Sequence, residues 1–128
     1  MSNKVLVVTA KAGATSAERK VLANITAAGA APANSTDGQF LNRTEYVHLL
    51  FKLTNSDPAA CTFYVQLWWW SPITEIWHAG ERLKVNSDDI HTLENQGLNR
   101  LYLQVDQVVF SGSGSPTLDA WVGMVVPV

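Results

Sequence analysis

The chain has 128 residues, of which 47% are hydrophobic and 16% charged, with nine Lys and Arg against eleven Asp and Glu for a formal net charge of −2. That length suits one domain with a self-supporting core, and the absence of any basic block argues against nucleic-acid binding, which needs clustered cations to neutralise phosphates. No apolar run approaches the ~18 residues of a membrane span, and a single cysteine, Cys61, excludes an intramolecular disulfide and offers no zinc-type spacing.

The charged fraction lies below the ~25% usual for soluble domains. Five Trp in so short a chain add to the expectation that a partner covers part of the surface. The opening residues are too short and too polar for a secretion signal. A reducing cytoplasm is therefore the expected site of synthesis and assembly. The Asn-x-Ser/Thr triplets at Asn24, Asn34 and Asn42 are then chance matches to a short pattern.

In chain order, Val5 to Val8 form a short apolar run suited to a first strand. Thr9 to Gly38 is dominated by Ala, Gly, Ser, Thr and Asn, with little side-chain volume for a core. Thr15 and Glu18 have the spacing of a capping box, so a helix of about two turns is one option there. The segment as a whole reads either as a long surface loop or as an assembly arm that orders on a neighbouring subunit. From Phe40 onward the pattern is β. Val47, Leu49, Phe51 and Leu53 alternate with polar positions, the period of a half-buried strand. Asn55 to Pro58 supplies a turn. Cys61, Phe63, Val65, Leu67 and Trp69 alternate with Thr62, Tyr64, Gln66, Trp68 and Trp70. Ser71-Pro72 breaks that strand; Ile73 to His78 and Glu81 to Val85 read as two further short strands around a turn at Ala79-Gly80. Asn86 to Gly97 reads as a polar loop with a turn of helix. Leu101, Leu103, Val105 and Val109 mark the longest strand, Ser111 to Pro116 a flexible tip, and Leu118, Ala120, Val122, Met124 and Val126 the last strand.

Seven to eight strands separated by turn signals predict an all-β, antiparallel two-sheet sandwich, jelly-roll-like or immunoglobulin-like. The expected core joins Cys61, Phe63, Val65, Leu67 and Trp69 to Val47, Leu49, Phe51, Leu53, Leu101, Leu103 and Val105.

Catalytic and metal-binding chemistry finds little footing. His48, His78 and His91 have no evident partner for nucleophilic or metal catalysis. Asp88, Asp89 and Glu94 share an acidic stretch without the pattern of a calcium loop. The glycines of Ser111–Ser115 join two strands, whereas a phosphate loop needs a following helix. Cys61, on the apolar phase of its strand, reads as a buried inert thiol. No enzyme, cofactor or metal is expected.

The most unusual feature is Trp68-Trp69-Trp70 followed by Trp77. Side-chain alternation places Trp69 on one face and Trp68, Trp70 and Tyr64 on the other. Three readings of that outward stripe stand: a second buried face under Thr9–Gly38, a sugar-stacking platform, or a subunit interface. Tyr64, Trp68, Trp70 and Trp77 are the candidate interface residues.

Four features stand together: the Met1-Ser2-Asn3 start, the small-residue segment Thr9–Gly38, the block Phe63 to Trp70 and the closing Leu118-Asp119-Ala120-Trp121-Val122-Gly123. In that character the chain resembles small structural proteins of tailed bacteriophages, with capsid decoration (cement) proteins as the nearest class. It implies a sandwich or jelly roll without enzymatic activity that binds the major capsid protein between capsomers, often as a homo-trimer, in a virion assembled in the host cytoplasm. The alternative expectation is a carbohydrate- or receptor-binding sandwich that uses exposed Trp residues.

Overall fold

The computed structural model describes residues 4–6, 18–41, 46–54, 61–95, 98–110 and 115–127. Among these residues nine strands form: β1 (Lys4–Leu6), β2 (Glu18–Ile25), β3 (Gln39–Phe40), β4 (Tyr46–Thr54), β5 (Cys61–Trp70), β6 (Trp77–Val85), β7 (Asp89–Glu94), β8 (Arg100–Phe110) and β9 (Thr117–Pro127). All the pairings are antiparallel. One sheet has the order β1-β9-β4-β7, with β2 sharing the β1 side of β9; the other has the order β3-β8-β5-β6. Each sheet is therefore four strands wide, because β1 and β2 lie end to end along β9.

The connectivity decides between the two topologies left open by the sequence. β2 pairs with β9, β3 with β8, β4 with β7 and β5 with β6. These four pairs are nested, as though one long hairpin had been rolled across two sheets, and that is the jelly roll.

Side-chain alternation builds the core. Val47, Leu49 and Phe51 of β4 face Cys61, Phe63, Val65 and Leu67 of β5 and Leu101, Leu103 and Val105 of β8, all buried as expected. Leu53 and Trp69 pack against this cluster but are only partly buried, because both lie toward strand ends. Leu41, Leu83, Val85, Leu118, Ala120 and Val122 complete it.

Three elements differ from the sequence expectation. Glu18–Ile25 is a strand, not a short helix or a loop. A two-turn helix is marginal alone, whereas pairing with β9 packs Val21, Leu22 and Ile25 against the core. Residues 26–38 keep an irregular path over the domain's own surface. Asp89–Glu94 is strand β7 rather than loop and helical turn; its pairing with β4 outweighs the low β-propensity of its acidic residues. Finally, Trp77–Val85 is one strand that passes through Ala79-Gly80 without turning. The register shift between Gln66 and Trp68 marks a bulge there, which absorbs the extra residue. The reversal lies earlier, at residues 71–76. The tip at Ser111–Gly114, the turn at Asn55–Pro58 and Val7-Val8 lie outside the described residues.

Candidate docking face

The outer face of the β3-β8-β5-β6 sheet collects the aromatic residues. Along β5, buried and half-buried positions alternate from Cys61 to Leu67, which sends Tyr64, Gln66, Trp68 and Trp70 outward. Register then assembles rows across the sheet. Phe40, Arg100, Trp70 and Trp77 form one row, and Tyr102, Trp68 and Ala79 the next. Gln104, Gln66 and Arg82 follow, then Gln107, Tyr64 and Lys84. Trp70 meets Trp77 edge-on at 5.5 Å, and Trp77 meets Tyr102 edge-on at 6.1 Å between ring centroids. Tyr64 lies at the far end, under the Arg82 guanidinium at 4.2 Å. The structure thus gathers all four candidate residues onto one face, in two groups rather than one platform.

The polar tips of this face are directed to residues 26–38. Trp77 Nε1 donates to the Asn34 carbonyl at 3.1 Å, and the Tyr102 hydroxyl donates to that of Ala30 at 3.0 Å. Trp68 Nε1 donates to Gln104 Oε1 at 2.9 Å, and Gln104 Nε2 donates in turn to the Gly29 carbonyl at 3.1 Å. Arg100 donates to the carbonyls of Thr36, Asp37 and Gly38. Asp37 accepts the N–H groups of Asn34 and Ala33, which hold its carboxyl below the ordinary range, the Asn34 bond first. Gly38 turns the segment into β3 at φ +72°, where a Cβ would stand 2.4 Å from the Leu101 carbonyl oxygen. Burial, and secondarily the charge of Asp37, raises the Tyr102 hydroxyl pKa. The face therefore serves as the mount for a strap of the domain's own chain. Arg100, Tyr102 and Gln104, which do much of the mounting, were visible as the polar phase of β8, but nothing local in the sequence marks them as partners of a segment more than sixty residues away.

Arg82 closes the other end. It forks onto Asp106 at 3.0–3.2 Å and donates to Gln107 Oε1 at 3.0 Å. The Asp106 hydrogen bonds raise the pKa of the guanidinium.

The remaining candidates are placed apart. His48 bonds Thr92 at 2.9 Å and His78 bonds Thr74 at 2.7 Å. His91 sits 3.1 Å from Asp89 and edge-on to Phe51. Asp88 accepts the Leu53 N–H. Among the described residues no three His, Cys, Asp or Glu side chains are grouped to hold a metal ion, and no helix is long and apolar enough to cross a membrane. Cys61 is buried, which raises its thiol pKa.

What sequence reading missed is the apolar end beside the first aromatic row. The 71–76 reversal is tightly built: Ser71 Oγ accepts from the N–H groups of Ile73 and Thr74, Glu75 N–H bonds the Ser71 carbonyl, and Ser71 N–H bonds that of Ile76. This ordered turn leaves Ile73 90% and Ile76 54% exposed, while Phe40, at the opposite end of the row, is 46% exposed. The sequence reads Ile73 and Ile76 as strand residues, which hides the feature. Compared with known protein families and with curated proteins, the chain matches none.

Proposed function

We propose that this chain is a non-enzymatic structural protein of a virus particle, a decoration protein that docks as a homo-oligomer, with a trimer favoured, onto the major capsid protein between capsomers. The observation that carries a docking role is the turn at residues 71–76, whose internal hydrogen bonds hold Ile73 and Ile76 out in solvent. An ordered turn that exposes two isoleucines gains nothing for the isolated domain, whereas a protein surface that covers them gains apolar burial without an ordering cost. The resemblance to phage decoration proteins supplies the particle. Many such contacts repeated over a shell add through avidity. Carbohydrate binding has less to stand on, because the indole N–H groups of Trp68 and Trp77 and the Tyr102 hydroxyl are already bonded within the domain.

The test is sedimentation of purified chain with capsid shells of the virus that encodes it, alongside light scattering for the oligomeric state. Ile73→Ser with Ile76→Ser is expected to fold normally, since neither side chain is buried, but to lose co-sedimentation. Undiminished co-sedimentation of the double variant would defeat the docking assignment. Specific retention of a glycan, with no affinity for the shell, would defeat the structural role itself.

A further inference from the structure

We infer that the cleft between the free edges of β6 and β7 receives a guanidinium-bearing side chain from a protein partner. The inference rests on the protein-docking reading above but uses a different surface. β6 and β7 are the end strands of their sheets on the same side of the sandwich, and a cavity of about 430 Å³ opens between them, within the size range of ligand sites. Its inner wall is apolar, with Leu67 of β5, Leu93 of β7 and Leu98. Trp69 also lines it, at the end of the inward series along β5. Gly80 is what lets that indole approach β6: a Cβ at residue 80 would stand 2.6 Å from Trp69 Nε1 and 2.8 Å from Cδ1.

The charged groups are one-sided. Glu81 and Glu94, both exposed, stand at the cleft with Thr92 of β7, and among the described residues no Lys, Arg or His lines it. Neither carboxylate takes part in an ion pair among the described residues. An apolar wall with an indole and unpaired carboxylates matches a planar cation on an aliphatic stem. The stem packs on the leucines, the guanidinium plane meets the indole, and its N–H fork donates to carboxylate oxygens. A protein source fits better than a free cation because the cleft is flanked by two strand edges whose outward main-chain groups a partner's extended backbone pairs with.

The experiment titrates the isotopically labelled full chain with the peptide acetyl-Val-Thr-Arg-Thr-Val-amide and follows the Trp69 indole N–H by NMR, assigned through its loss in Trp69→Phe. Parallel arms use the same peptide with citrulline in place of arginine, free agmatine, and glucose. The arginine peptide is expected to shift the Trp69 signal. The citrulline peptide, and the exposed-residue variant Glu81→Gln with Glu94→Gln, should bind about tenfold more weakly, the loss expected for one charge-assisted hydrogen bond. Equal binding of the citrulline and arginine peptides, no shift at Trp69, agmatine binding as tightly as the peptide, or a response to glucose instead would each overturn the inference. Because this readout needs no particle, its failure is separate from failure of the shell-docking test.

Discussion

A glycine whose neighbour is a tryptophan edge shows how narrowly one position is specified. Gly80 sits in the bulge of β6 with ordinary backbone, and what it lacks is only a Cβ that would collide with the Trp69 indole. Overpacking of that kind costs ~1–3 kcal/mol when the neighbour cannot move freely. Gly80→Ala is therefore expected to lower stability to urea by about that amount, and the loss should shrink when Trp69 is first replaced by Leu. Equal losses in the two backgrounds would show that the indole contact is not the cause. From sequence, Ala79-Gly80 looks like a turn because glycine most often serves backbone freedom; here it serves space.

Among the strands, β2 is irregularly paired: its register against β9 shifts twice, between Lys20 and Leu22 and between Leu22 and Ile25. Asn24 adopts a left-handed φ of +50° in the second irregularity. Its N–H is caught by Asp119 Oδ1 at 2.9 Å, and Lys20 Nζ lies 3.1 Å from the same oxygen. These partners, the Asn24 N–H first, hold the Asp119 carboxyl below the ordinary range despite its burial. Folding thus favours the ionised form. The stability so gained is complete above the unfolded carboxylate value of about 4 and is lost as pH falls through the lower folded value. Asp119→Asn keeps an oxygen for Asn24 but no charge. The variant should melt below the wild type near neutrality and approach it as the pH falls below about 4. A gap in melting temperature that stays constant across that range would refute the linkage.

In the molecule as a whole, nested pairing makes early and late segments mutually dependent. β9 carries β1 and β2 on one side and β4 on the other, so the last strand closes structure begun by the first. Such non-local pairing gives no stable half. Cys61 reports on this directly: it is 3% exposed and its thiol pKa is raised by burial. Alkylation of Cys61 in native buffer should run orders of magnitude slower than in urea, and destabilising changes as distant as Gly80→Ala should speed it in proportion to the stability lost. Rapid labelling of the native chain would mean that the β5 end opens independently of the rest.

The β class, the strands β4, β5, β8 and β9 and most of the core were legible in the residues, because alternation of large apolar side chains is a local signal that survives any arrangement of strands. The outward placement of Tyr64, Trp68 and Trp70 followed from the same period. The partners of those rings did not. Whether Trp77 meets a sugar, a subunit or the Asn34 carbonyl depends on where the chain runs after Ile25, and small residues such as those of 26–38 leave no periodic trace. β2 and β7 were hidden for a related reason: their strand state comes from hydrogen bonds lent by β9 and β4, not from their own propensity. The rolled order of strands likewise rests on contacts between segments far apart in the chain, whose energies no stretch of sequence contains alone.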